Sequence, residues 1–176
     1  MLGFYENFPS KIHSVETFIS WATCRRLQQR IIQALFETNT RMFILDQIAP
    51  PAVPGCTAMF EFGIADSESF VYIDGNELKQ IMRELNKKDF KILDFFCAVR
   101  YYKGNPESKK PLRFDYYFIR MRFAEKAVEL QLVHERGPRY LAPQDFTRFI
   151  VDRTNGESTK RILKTLKPAE HDSSED

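Results

Sequence analysis

The sequence predicts an α+β protein in which an antiparallel sheet of five to six strands, in two groups, packs against three helices. Three consecutive strand candidates lie between residues 91 and 135, the first two of them rich in aromatic residues, and a first group of strand candidates lies between residues 42 and 73. Apolar residues recur at helical spacing in three other segments. Strands that are grouped along the chain, with helices between the groups, favour an antiparallel sheet packed by helices.

The first predicted element is a long amphipathic N-terminal helix from Ser14 to Asn39. Its apolar residues recur at intervals of three and four, Ser14 suits the N-cap, and Asn39 suits the C-terminal end. A strand candidate at 42–48 follows, and prolines between residues 50 and 54 then predict a loop.

The middle of the chain predicts a hairpin and a second helix. A half-exposed strand at 57–65 is joined through the polar residues 66–69 to a short strand at 70–73. Asp74, with a glutamate three residues later, resembles a capping box that opens the middle helix, and polar residues at 86–88 close it.

The second strand group predicts an antiparallel meander made of Lys91–Tyr102, Leu112–Phe123 and Ala127–Glu135. A C-terminal helix begins at Pro143, which suits a first helical turn, and Gly156 is placed to end it.

The length of 176 residues favours one domain, which we assign to residues 1–156. Residues 157–176 are expected to form a basic, then acidic, partly disordered tail, with a turn or two of helix at 160–166.

Composition limits the classes of function. The 26 basic and 24 acidic residues give a net charge of +2, so any basic binding site has to be local. Three widely spaced cysteines and the absence of a signal-peptide pattern or a long apolar run predict a cytoplasmic protein without a membrane segment. No CxxC pair accompanies the three histidines, so neither a metal nor a cofactor is expected.

Charged and aromatic residues gather at one end of the second strand group and form the candidate ligand-binding site. A loop centred near residues 107–108 would set Arg100 opposite Asp115, and the following turn would set Asp115 opposite Glu135 and Tyr116 opposite His134. The candidate residues are Arg100, Tyr102, Arg113, Asp115, His134, Glu135, Arg136 and Arg139.

Two interpretations of this constellation stay open. In the structural one, Arg100 bridges the two acids in an ion-pair network, and the arginines of the turn after residue 135 are solvated. In the functional one, the surplus guanidiniums of Arg136 and Arg139 bind phosphate or carboxylate groups beside stacking tyrosines.

Nucleic-acid binding has partial support. Tyr116, Phe118, Arg120 and Arg122 alternate along one strand, as in sheets that stack single-stranded bases. Aromatic residues on the other side of the same strand predict that both sheet faces are covered, and the motif of the common RNA-recognition sheet is missing.

The sequence thus predicts a non-catalytic binding module that engages a protein partner, a second copy of the chain or a nucleic acid through the arginine- and tyrosine-rich sheet end. No nucleotide-binding loop or nucleophile elbow is found. The alternative is a small enzyme that acts on a phosphate- or carboxylate-bearing substrate at the same end.

Overall fold

One antiparallel sheet and three helices make up the part of the chain that the computed structural model describes, which is residues 1–50, 54–103, 113–156 and 161–165. The strands are β1 (Ser14–Ser20), β2 (Met42–Ile44), β3 (Cys56–Asp66), β4 (Ser69–Tyr72), β5 (Ile92–Lys103), β6 (Arg113–Ala124), β7 (Ala127–Arg136) and β8 (Leu163–Thr165). The helices are α1 (Cys24–Thr38), α2 (Gly75–Lys87) and α3 (Pro143–Asn155). The order of strands is β2-β3-β5-β6-β7-β1-β8, and β4 pairs with β3. The predicted α+β class is confirmed, with eight strands in the described residues instead of five to six.

The segment from Ser14 to Ser20, predicted as the start of a long helix, is strand β1. Three of its seven residues are β-branched, and it pairs with β7. Helix α1 begins at Cys24, and the Thr23 side chain caps it by accepting a hydrogen bond from the backbone N–H of Arg26. The predicted end is confirmed, since Asn39 is the C-cap.

The other helices begin and end as predicted. The Asp74 side chain accepts a hydrogen bond from the Glu77 N–H at 2.8 Å and starts α2. Pro143 is the first residue of α3, and Gly156 is its C-cap. The helices contain 15, 13 and 13 residues, and none in the described ranges is long and apolar enough to cross a membrane.

Two short segments differ from the prediction. Strand β2 stops at Ile44, and residues 45–47 form a single turn of 3₁₀ helix. Residues 163–165, predicted to be helical, form β8, which pairs with β1 and so joins the sheet beyond the predicted boundary at residue 156. Residues 104–112, which include the predicted polar loop, and the acidic end of the tail lie outside the described residues.

The helices pack on one face of the sheet, which we call the helical face. Aromatic side chains of α3 lie against β3, with ring centroids 4.6 Å apart for Phe149 and Phe60 and 5.9 Å apart for Phe146 and Phe62. All four side chains are buried and belong to one continuous hydrophobic core between the sheet and the helices.

The opposite face, which we call the open face, is covered in part by the N-terminal segment, residues 1–9. Tyr5 stacks on Phe118 of β6 with 5.6 Å between ring centroids, and the Arg120 guanidinium lies 4.3 Å from the ring centroid of Phe8. Elsewhere on this face Val15 and Phe114 remain 53% and 37% exposed. The open face therefore has a covered part and an uncovered part.

A buried ion pair holds the N-terminal segment in place. Nε and Nη2 of Arg120 each lie 2.8 Å from an oxygen of Asp94, which is fully buried. Asp94 also accepts a hydrogen bond from the Tyr5 N–H at 2.8 Å, and its own N–H donates to the carbonyl of Gly3 at 2.7 Å. Gly3 in turn donates to the Ala65 carbonyl at 2.7 Å, so the segment fills the gap where β3 and β5 separate.

The exchange Asp94→Ala should lower the free energy of unfolding by about 3–5 kcal/mol, because Arg120 would stay largely buried without its carboxylate. Asp89→Ala is the matched control: it removes the exposed ion pair between Asp89 and Arg25 and should cost no more than about 1 kcal/mol. Urea denaturation of both variants measures the difference, and equal losses would contradict a special role for Asp94.

Candidate functional site

Asp115 lies at the centre of the predicted site, and it is fully buried with both carboxylate oxygens occupied. Its Oδ1 accepts a hydrogen bond from the backbone N–H of Arg139 at 2.7 Å and lies 2.8 Å from Nε2 of His134. Its Oδ2 accepts from the Tyr101 hydroxyl at 2.7 Å and from the Tyr140 N–H at 2.9 Å. These four donors compensate for the loss of water around the buried carboxylate. Because they come from β5, β7 and the loop that follows β7, the carboxylate links these elements to β6.

That loop folds tightly over Asp115 because it contains Gly137. The φ angle of Gly137 is +115°, and a Cβ at this position would overlap the Phe114 carbonyl oxygen and Oδ1 of Asp115. Arg139, two residues later, also has a positive φ of +62°. The turn thus places two backbone N–H groups on the carboxylate and leaves the Arg139 side chain exposed.

Two tyrosine hydroxyls complete the buried network. The pKa of Tyr101 is raised mainly by burial, and further by the nearby Tyr117 hydroxyl and the Asp115 carboxylate. The pKa of Tyr117 is raised by burial and by Asp115. The Tyr117 hydroxyl donates a hydrogen bond to the Leu141 carbonyl. Both tyrosines are therefore neutral hydrogen-bond donors at physiological pH.

His13 connects this network to the start of β1. The backbone N–H of His134 donates a hydrogen bond to Nδ1 of His13 at 2.9 Å, which requires that Nδ1 carry no proton. Burial lowers the pKa of His13, and the positive charges of Arg139 and Lys11 lower it further, with a smaller effect from His134.

The predicted position of Arg100 is wrong by one residue of register. Val99 lies opposite Asp115, and Arg100 lies opposite Phe114. A shift by one residue exchanges the two faces of a strand, so Arg100 projects from the open face while Asp115 projects from the helical face. Nη2 of Arg100 lies 2.6 Å from a carboxylate oxygen of Glu61. The expected network in which Arg100 bridges Asp115 and Glu135 does not form.

The same shift changes the role of the neighbouring tyrosines. Tyr101, which is not in the predicted set, lies opposite Arg113 and reaches Asp115. Tyr102 pairs with Thr57 on the open face and is only 8% exposed. Tyr102 therefore offers little surface to a ligand.

A β-bulge near the end of β7 separates Glu135 from Asp115. His134 lies opposite Tyr117, whereas Arg136 lies opposite Tyr116, so Glu135 is the extra residue and is exposed. The predicted pairs of Asp115 with Glu135 and of Tyr116 with His134 are therefore wrong. As a result, His134 points to the helical face and Arg136 to the open face.

Phe114, Tyr116 and Arg136 project from the uncovered part of the open face, whereas Arg113, the first residue of β6, alternates to the other face but lines the same depression at the strand end. We call these four residues the aromatic-arginine cluster. The Arg136 guanidinium lies 4.9 Å from the ring centroid of Tyr116. The rings of Phe114 and Tyr116 are nearly parallel, at 7°, with their centroids 6.3 Å apart. Together with Gly137 and Pro138 the cluster lines a surface depression of about 600 Å³.

The guanidiniums of this cluster are accessible to a ligand. Arg113 and Arg136 are exposed, and within the described residues neither has a carboxylate oxygen within 4.0 Å. The side chains of Glu135, near the end of β7, and of Arg139, in the loop that follows β7, are also exposed. Among the described residues at this end of the sheet, positive charge therefore exceeds negative charge.

Four of the eight predicted residues take part in one of two arrangements. Asp115 and His134 belong to a buried network that shapes the loop, whereas Arg113 and Arg136 line the depression. Phe114 was missed, although its position two residues before Tyr116 on the same strand places both rings on one face. In the described ranges no three His, Cys, Asp or Glu side chains are placed to hold a metal ion.

Replacement of Gly137 by alanine should strongly destabilise the protein, by several kcal/mol, because the new methyl group would displace the loop from Asp115. Gly75→Ala serves as the control, since a Cβ there meets no atom within 4 Å and alanine is the better helix former. Thermal unfolding should show a much lower midpoint for the first variant and an unchanged or higher midpoint for the second. A Gly137→Ala protein that melts like wild type would show that the close contact is not required.

The lowered pKa of His13 also predicts a pH dependence of stability. The folded protein favours the neutral imidazole, so this contribution is complete above the ordinary pKa of 6.5 and is lost as the pH falls through the lower folded value. In His13→Asn the side-chain oxygen can accept the same hydrogen bond without titrating, so stability should fall less between pH 7 and pH 5 than in wild type. Identical pH profiles, measured by urea denaturation, would contradict this assignment.

The chain was compared with protein-family models, with curated proteins and with solved structures, and none of them matched. The aromatic-arginine cluster is therefore the feature of the molecule that bears on its function.

Proposed function

We propose that this protein is a non-catalytic binding module that holds an anionic partner against the aromatic-arginine cluster. The observation that carries the proposal is the exposure of two guanidiniums beside partly exposed aromatic rings on a sheet face that the N-terminal segment leaves uncovered. Exposed side chains of this kind at one place are typical of a binding surface.

The chemistry of the cluster favours an anionic partner. A guanidinium presents its N–H donors in a planar fork that matches carboxylate and phosphate oxygens. Arg136 is held against Tyr116, so less conformational freedom is lost when it binds a ligand. Arg113, the first residue of β6, lines the same depression.

The alternative is a small enzyme that acts on an anionic substrate at this end of the sheet. His134 would be its acid–base group, since it contacts Asp115 at 2.8 Å and its side chain is 12% exposed. However, Nε2 of His134 is committed to Asp115, and the remaining donors on Asp115 come from Tyr101 and from the loop backbone. These contacts favour a structural role for the pair, and we therefore prefer the binding module.

The cellular location and the assembly state that we propose for the module are inferred from the sequence alone. The odd number of cysteines favours the reducing cytoplasm, and self-association through an exposed strand edge stays a prediction.

The double variant Arg113→Ala/Arg136→Ala should elute from a heparin column at a clearly lower salt concentration than wild type, because two accessible guanidiniums are removed from one site. The control Arg83→Ala/Arg122→Ala makes the same change in net charge at exposed positions on α2 and at the far end of β6. It should elute nearly as wild type does. Equal shifts for the two double variants would refute a localised anion site, provided that both melt at the wild-type temperature.

A further inference from the structure

We infer that the partner is a single-stranded nucleic acid whose bases stack on Phe114 and Tyr116 while its phosphates bind Arg113 and Arg136. This inference rests on the proposed function and specifies the partner of the same site.

The aromatic rings are the first argument. Phe114 is 37% exposed and has no polar atom, so its ring contributes nothing to the binding of a carboxylate or a simple phosphate. A nucleobase, in contrast, has a flat face that stacks on aromatic side chains whatever its sequence. An exposed phenylalanine beside two arginines therefore fits a ligand that is both aromatic and anionic.

The arrangement of the rings is the second argument. The rings of Phe114 and Tyr116 are nearly parallel, and Tyr116 is in turn at 21° to Phe96, with 5.8 Å between centroids. They form a row along and across two adjacent strands of one face. Sheets that bind single-stranded RNA use aromatic residues placed in this manner to stack two or three bases.

The charges are the third argument. Arg136, on β7, lies over the ring of Tyr116, and Arg113 directly precedes Phe114 at the start of β6; both residues line the depression. A backbone phosphate on each side of a stacked base would meet one guanidinium. On the same face Arg100 is paired with Glu61 and is not counted among the phosphate ligands.

The N-terminal segment sets the length of the site. Tyr5 covers Phe118, and Phe8 covers Arg120, so the aromatic row is closed beyond Phe96. Two to three bases, as in other sheet platforms, fill the remaining part. Bases in a duplex are already stacked on each other, so a duplex cannot use the rings and should bind more weakly.

The test is fluorescence anisotropy with labelled single-stranded RNA and DNA of ten nucleotides, a duplex of the same sequence and a ten-residue polyglutamate peptide, each across a salt series. Wild type should bind at least one single strand ten-fold or more tightly than the duplex or the peptide. The RNA and DNA arms identify which backbone is preferred. Arg113→Ala/Arg136→Ala should weaken binding and reduce the slope of log K against log salt by about two.

Phe114→Ala isolates the stacking contribution. It should weaken single-strand binding about ten-fold or more with little change in the salt slope, and Phe114→Trp should restore it. The matched control is Val15→Ala, which removes another exposed apolar side chain from the open face and should leave binding unchanged.

The outcomes separate the two proposals. If the peptide binds as tightly as the single strands, or if Phe114→Ala binds like wild type while the arginine double variant does not, the nucleic-acid partner is refuted and the anion-binding module stands. The same holds if single strands fail to bind at low salt while the heparin result is positive. If neither the arginine nor the phenylalanine variants alter any binding, both proposals are refuted.

Discussion

The buried carboxylate of Asp115 is the interaction on which this end of the molecule depends. A charge without water is costly, and here two backbone N–H groups, one hydroxyl and one imidazole satisfy it together. The chain after β7 has to bend sharply over the strand end to supply the backbone donors, and Gly137 makes that bend sterically accessible. The position of Arg136, on the other side of the sheet, follows from the bulge that precedes this bend.

A second buried carboxylate, Asp94, divides the open face. With Arg120 it holds the N-terminal segment across Phe70 and Phe118 and leaves the aromatic-arginine cluster uncovered. Two buried acids thus act on opposite faces of the same sheet: Asp115 shapes the loop beside the proposed site, and Asp94 limits its extent. Neither acid faces the solvent, and both exert their effect through the backbone that they hold.

Local signals in the sequence predicted much of the fold. The cap at Asp74, Pro143 at a first helical turn and the alternation in β5–β7 each depend on neighbouring residues, and each is confirmed. Ser14–Ser20 was misread because seven residues are too few to separate a helical from an alternating pattern when the next segment is a true helix.

The candidate site was harder to predict because side-chain direction depends on strand register. An error of one residue placed Arg100 beside Asp115, although the two project from opposite faces. The bulge at Glu135 has no clear sequence signature either, since its backbone conformation responds to the loop and to Asp115. Residue types at the sheet end were therefore predictable, whereas their grouping required the structure.

The N-terminal segment also has a consequence for the order in which the protein folds. Tyr5 is held by Arg120, which is 115 residues away in sequence, and by Asp94 in the neighbouring strand. Residues 1–9 can consequently dock only after β5 and β6 have formed, and contacts of such high sequence separation slow folding. Until then Phe118 lacks the cover of Tyr5 and Phe8, so the partly folded chain exposes a larger aromatic surface than the folded protein does.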